Sequence, residues 1–189
     1  MLERDLPVEA REAVLTATLA QILSARDRRA ARQRELLADF GWPVISLTLV
    51  SPGPVKDSLG RRLLMDLAEE ALQDELRKGR FQVRQHVRTD GIAGPEALWV
   101  VEAPPERMKR LAVRIEDTKP WGRLLDADVI IAGAHGEPVP MGRQWLGSEA
   151  RRCLICEAAA KECIGIRRHH PAVVASMVAA LIGRFTGKP

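Results

Sequence analysis

Between Glu116 and Ile131 the chain changes its periodicity, and that change constrains the fold more than any other stretch. The segment E-D-T-K-P-W-G-R-L-L-D-A-D-V-I-I closes a helix, turns through Pro120 and Gly122, and enters a strand. Side chains alternate across a strand, so Asp126 and Asp128 leave one face, roughly 6–7 Å apart, while Leu125, Ala127 and Val129 leave the other. Two same-face carboxylates suit a hard cation such as Mg²⁺, which keeps waters and substrate phosphates as its other ligands. Arg123, just before the strand, can reach a phosphate with its planar fork. A lone D-x-D equally describes two solvated acids on a half-exposed sheet face, so the rest of the chain has to decide.

The 189 residues are enough for one domain with its own core. The formal net charge of +4 is too small to imply nucleic-acid binding by itself, but clustered cations would favour a polyanion. No apolar run reaches membrane-spanning length, and M-L-E-R-D-L-P carries no cationic, apolar leader. The three cysteines cannot pair off evenly, which points to the reducing cytoplasm.

Helical spacing from Val8 to Leu23, and again from Ser24 to Phe40 before Gly41, predicts an N-terminal helical pair over 1–41. Arg26, Arg29 and Gln33 share one face of the second helix, either as a solvated surface or as an anion-binding one. Val44–Val50 alternates as a strand, and S-P-G-P-V-K-D-S cannot continue it because Pro52 and Pro54 lack donors. A helix from about Ser58 to Lys78 follows, with Leu59, Leu63, Leu67, Leu72 and Leu76 in its expected buried rows and Asp57 or Ser58 as its cap. Lys56, Ser58, Arg61 and Arg62 surround that helix start, where free amides favour anions.

Strands over 81–88 and 97–101, a helix opened by Pro104-Pro105 with Met108, Leu111, Ala112 and Ile115 inward, and the acid-bearing strand complete the 44–131 core. The predicted fold is α+β: a split β-α-β-β-α-β sheet with helices packed on it, the N-terminal helical pair, and a helical C-terminal segment over 148–185. Gly133–Gly147 reads as a long loop. Cys153, Cys156, Cys163 and His169, spaced C-x2-C-x6-C-x5-H, can supply a tetrahedral Zn²⁺ site. Alternatively the cysteines are small core residues on one side of a helix, and E-A-A-A-K between them, a strong helix former, makes that the preferred reading.

Several separate stretches together resemble the phosphoribosyl-dephospho-CoA transferases that mature apo-citrate lyase. They are Arg26-Asp27 with Arg29, Arg32 and Gln33; P-G-P-V-K-D-S; Gly94-Pro95-Glu96; Glu116; P-x-G-R-L-x-D-x-D-V from Pro120; and R-R-C-x-x-C-x6-C-x5-H. The resemblance implies transfer of a phosphoribosyl-dephospho-CoA unit from triphosphoribosyl-dephospho-CoA to a serine of the citrate lyase acyl carrier subunit, with loss of pyrophosphate. On that footing Asp126 and Asp128 are expected to bind Mg²⁺, with Glu116 as a third ligand or as base. Arg123 is expected at the reacting phosphate. Lys56, Asp57, Ser58, Arg61 and Arg62 surround the expected pyrophosphate site, and Arg26, Arg29 and Gln33 are expected on the rest of the donor or on the carrier. Two rivals stand beside it: the same chemistry on the malonate decarboxylase carrier, and a non-catalytic zinc-stabilised module binding a carrier protein or nucleic acid. Three Phe, four Trp and no Tyr offer no evident base-stacking platform, so nucleic acid is not an expected partner, and without an apolar run of membrane-spanning length neither is a membrane.

Overall fold

The computed structural model describes residues 16–188. In chain order the elements are α1 (Leu19–Phe40), β1 (Val44–Leu49), α2 (Leu59–Lys78), β2 (Gln82–Thr89), β3 (Glu96–Glu102), α3 (Pro105–Thr118), β4 (Leu125–Ala132), β5 (Pro138–Met141), α4 (Ala160–Gly165) and α5 (Pro171–Thr186). Short 3-10 turns fill Gly122–Leu124 and Arg143–Leu146. The strands form one sheet in the order β2-β3-β1-β4-β5, every neighbour antiparallel. This is the split α+β arrangement expected from sequence, extended at one edge by β5.

Strand alternation sorts the sheet into two faces. Ile45, Leu47, Trp99, Ala127 and Val129 point into the main core, where Leu64, Leu72, Met108 and Ile115 of α2 and α3 meet Val178 and Ile182 of α5. Among the described residues the opposite face is covered by α1, through a smaller cluster of Leu36, Leu37, Val44, Leu98, Val100 and Ile130. The inward row of α3 is the expected one. On α2 the buried row is Leu64, Met65, Ala68, Ala71, Leu72 and Leu76, so the expected row is rotated: Leu59 is exposed, and Leu63 and Leu67 sit at the margin. The small Ala68 and Ala71 let the helix lie close to the sheet, and so they take the central line.

Three local expectations are overturned. The N-terminal pair broken at Ser24 is one continuous helix over the described residues, because a capping box at Thr18 and Gln21 already starts it. Ser24 lies inside and accepts a bond from the Arg28 guanidinium at 2.6 Å; the predicted start near Val8 falls outside the described residues. The expected loop over 133–147 contains β5, a short edge strand holding Pro138 and Pro140. Alternate N–H groups of an edge strand face away from the sheet, where a missing donor costs nothing. The preferred helical reading of the cysteine segment also fails. Only Ala160–Gly165 is helical, and Arg152 and Ala159 form an antiparallel bridge that folds the first two cysteines into a hairpin. No helix among the described residues is long and apolar enough to cross a membrane.

Candidate active site and a cysteine–histidine cluster

The acid pair owes its position to a polarity gradient shared by β4, β1 and α1. Along the α1 face of the sheet, Ile130 pairs with Val44, Asp128 with Ser46 and Asp126 with Thr48, so the strands run from apolar to polar. The inward stripe of α1 makes the same change in reverse order of sequence, from Leu37 and Leu36 through buried Gln33 to Arg29 and Arg26. The apolar halves lock together and leave the polar halves around a cleft of about 230 Å³. Asp126, Thr48, Ser51, Lys56, Arg26 and Arg29 are among its walls.

Its rim depends on a close backbone approach. Gly94 adopts φ +100°, and a Cβ there would lie 2.8 Å from the carbonyl oxygen of Lys56, so the 91–95 turn can reach the loop after β1 only with glycine. Lys56 donates to the Ser51 carbonyl, while Arg61 Nε reaches Ser51 Oγ at 3.3 Å and its terminal nitrogen reaches Ser58 Oγ at 3.3 Å. Burial holds the Lys56 ammonium below its ordinary range, and the charges of Arg26 and Arg61 add to the effect. Arg61 is likewise lowered by burial, against an opposing pull from Asp57. Arg26 has no ion-pair partner among the described residues, whereas Arg29 is held by Glu96 at 2.5 Å. A knot of mutually repelling cations gains energy from an anion, most of all a multivalent one.

The acids show the complementary frustration. Burial pushes the Asp128 carboxyl above the usual range, and the charges of Asp126 and then Glu116 reinforce it, with Lys109 and Arg151 opposing. Lys109 Nζ donates to the Ala127 carbonyl at 3.2 Å and stands 3.9 Å from Asp128. Arg151 stands 3.4 Å from Asp126 and donates to the carbonyls of Arg123 and Leu125. Both carboxylates remain about half exposed, so these cations steady the pair without enclosing it.

The structure therefore brings Asp126 together with Lys56, Arg26 and Arg29, and places Asp128 one step along the same face. Other expected site residues go elsewhere. Buried Glu116 accepts from the Ala127 N–H at 2.8 Å and pairs with Arg143 at 2.5 Å, so each of its oxygens already has a protein partner. Gly122 makes room for this turn, since a Cβ there would stand 2.4 Å from the Glu116 carbonyl oxygen. Arg123 donates to the Cys153 carbonyl and lines a neighbouring hollow with Arg143 and Arg152. Arg62 and Asp57 pair with each other, and Ser58 caps α2 through the Arg61 N–H. Lys109, Arg143 and Arg151 were missed in the sequence. Only Lys109, a cation set inside the apolar row of α3, left a readable signal there.

Cys153, Cys156, Cys163 and His169 converge from the hairpin, α4 and the turn before α5, with their donor atoms all within 4.8 Å of one another. Burial pushes the Cys163 thiol up to about 11, and the adjacent thiols add to the shift.

An α+β sheet that presents paired carboxylates to a knot of cations across an open cleft has the groups required of a transferase that handles phosphate esters. Residues 17–185 match the family model described as apo-citrate lyase phosphoribosyl-dephospho-CoA transferase. A protein of that name from Citrobacter koseri is 35% identical over 152 residues, covering 80% of this chain and 81% of its own. Another from Shigella flexneri is 31% identical over 165 residues, covering 87% and 88% respectively. The chain belongs to this family and is a transferase.

Proposed function

We propose that the protein transfers the phosphoribosyl-dephospho-CoA group from triphosphoribosyl-dephospho-CoA to a serine of the citrate lyase acyl carrier subunit. The serine oxygen bonds to the α-phosphorus, and the bond to the bridging oxygen breaks. Its electron pair leaves with pyrophosphate, and the serine proton is released to water in the open cleft. The observation that carries this reading is the convergence of Asp126, Arg26, Arg29 and Lys56 on one cleft in a chain of this family.

Mg²⁺ fits the acid pair: the donors are oxygens only, they are half exposed, and their mutual repulsion is of the kind a divalent ion relieves. Asp126 and Asp128 would hold it, and when bound it screens the charge of the triphosphate. Lys56 and Arg26 then grip the polyphosphate, and an arriving anion restores to Lys56 the proton affinity that burial removes. Arg29, fixed by Glu96, forms the wall toward the rest of the donor. Arg61 orients Ser51 from behind, and Lys109 and Arg151 keep the carboxylates aimed at the cleft. Three free thiols suit a reducing compartment, and we assign the reaction to the cytoplasm.

Mass spectrometry of apo-carrier incubated with enzyme, precursor and Mg²⁺ tests the proposal. The carrier should gain one phosphoribosyl-dephospho-CoA unit on one serine, with one pyrophosphate released per carrier. A carrier of unchanged mass overturns it. The malonate decarboxylase apo-carrier run in parallel tests the choice of acceptor and should stay unlabelled.

A further inference from the structure

The cysteine–histidine cluster lies outside the cleft, and the transfer chemistry makes no use of it. Its geometry is that of a cation site. Cys156 Sγ stands 3.6 Å from Cys163 Sγ and 3.4 Å from His169 Nε2, and none of the three cysteines is in a disulfide. A tetrahedron of ligands around Zn²⁺, with bonds of about 2.0–2.3 Å, has edges of roughly 3.3–3.8 Å. The shortest separations match those edges, and a limit of 4.8 Å over all four atoms leaves only a slight contraction to be made.

The backbone is also arranged as in a metal knuckle. Cys153 N–H donates to the Ala158 carbonyl at 2.8 Å and Ala160 N–H to the Arg151 carbonyl at 2.7 Å, closing a short hairpin. Inside it, the Ile155 N–H points at Cys153 Sγ at 3.4 Å, a bond that favours thiolate. Aliphatic packing holds this segment only in part: Leu154 of the hairpin leans on the main core, but α4 contributes no buried aliphatic side chain. On α4, Cys163 is turned inward at 4% exposure, while Ile164 and Ile166 beside it are 76% and 67% exposed. A helix that turns Ile164 and Ile166 to water and its sulfur inward, toward two other sulfurs and an imidazole, is organised on the sulfurs. A disulfide would use two of these groups and strand a thiol and an imidazole beside it.

We propose that Cys153, Cys156, Cys163 and His169 Nε2 bind one structural Zn²⁺ with all four positions filled by protein. The ion stands next to the cleft through two short links: Arg123 donates to the Cys153 carbonyl, and Arg151, two residues before Cys153, reaches Asp126 and the carbonyls of Arg123 and Leu125. The zinc knuckle is thus the clamp that fixes Arg151 against the acid pair, a positioning role and not a chemical one.

The test is made on full-length protein purified under reducing conditions without chelator. Elemental analysis should give about one zinc per chain, X-ray absorption should show three sulfurs and one nitrogen, and Co²⁺ exchange should give the visible spectrum of tetrahedral thiolate coordination. Chelation should lower the melting temperature, and added Zn²⁺ should restore it. His169→Ala should weaken zinc retention, and His169→Cys, which keeps a fourth ligand, should recover it. Cys156→Ser should lose the zinc, and the two His169 variants keep the test decisive if it does not fold. Metal-free protein with a chelator-insensitive melting temperature overturns the proposal, as does a Cys156–Cys163 disulfide in the native protein. These readouts are independent of carrier labelling, so failure here and failure of the transferase reading are separately visible.

Discussion

The two faces of this sheet are cut from the same strands, residue by residue, yet they do opposite work. On one, Ile45, Leu47 and Val129 are at or below 1% exposure beneath three helices. On the other, their immediate neighbours Asp126 and Asp128 stand half open, and Thr48 partly so, beneath the basic end of α1. Burial on the first face is complete enough to stabilise the domain, so the second is free to hold charges that repel one another. Asp126 disfavours ionisation of Asp128, and Arg26 disfavours protonation of Lys56. Lys109 and Arg151 offset the repulsion between the acids only in part, and Arg26 has no ion-pair partner among the described residues, so a metal ion on the first set and a polyanion on the second would each relieve what remains.

This contrast is broken most sharply by removing the acids. Asp126→Asn combined with Asp128→Asn should lower carrier labelling by on the order of 10³-fold, equivalent to roughly 4 kcal/mol, with the fold intact by circular dichroism. Normal labelling by the folded double variant would falsify the metal assignment. Next in size is the comparison of adjacent residues on β1. Leu47→Ala should cost about 2–4 kcal/mol in denaturant unfolding, because it opens a cavity in the packed face. Thr48→Ala, on the other face, should change stability by less than about 1 kcal/mol and act instead through the cleft. Equal destabilisation by both would show that the faces are not divided as described.

A smaller effect separates binding from chemistry within the cleft. Lys56→Ala and Arg26→Ala should each raise KM for the triphosphate donor roughly tenfold, the worth of one charge-assisted hydrogen bond, with little change in stability. Arg62→Ala should leave KM close to its original value, because Asp57 holds that side chain away from the cleft. Steady-state kinetics on the three variants checks the order.

The legible parts of this molecule are those in which a single periodicity decides the structure. Alternation placed Asp126 and Asp128 on one face, and the helical row Met108, Leu111, Ala112 and Ile115 fixed how α3 packs. What was hidden depended on partners far along the chain. The partners of Glu116 are of this kind: the unpaired edge of β4 offers it the Ala127 N–H, and Arg143, 27 residues on, meets its other oxygen. The carbonyl that Arg123 meets comes from Cys153, 30 residues on in the hairpin. E-A-A-A-K has high helix propensity, yet it yields to the Arg152–Ala159 bridge, because propensity is worth only tenths of a kcal/mol per residue against tertiary contacts. Pro138 and Pro140 disguised β5 because the rule against proline in strands does not hold at an outer edge.

The smallest predicted effect is a difference in sign between two carboxylates, one serving each face. Glu75 lies on the packed side, where its bond to Lys78 draws its carboxyl below the ordinary range, burial opposing and Arg114 adding to the pull. Its contribution to stability is therefore present above the unfolded-state pKa and lost as pH falls through the lower folded value. Asp128 is shifted the other way, so its native form binds a proton more tightly than the unfolded chain does. Its penalty is complete at neutral pH in metal-free protein and disappears as pH falls below both of its pKa values. Urea unfolding without divalent metal should then show Asp128→Asn stabilised by a few tenths of a kcal/mol at pH 7, solvent screening keeping the figure small, and Glu75→Gln destabilised by a similar amount. Both differences should shrink toward pH 3. Adding Mg²⁺ should stabilise the parent and leave Asp128→Asn nearly unmoved, so the order of those two proteins reverses. An acid whose removal stabilises the empty protein and abolishes that response to metal is held for binding and not for the fold. If the parent and Asp128→Asn respond equally to Mg²⁺, the two faces differ in exposure alone.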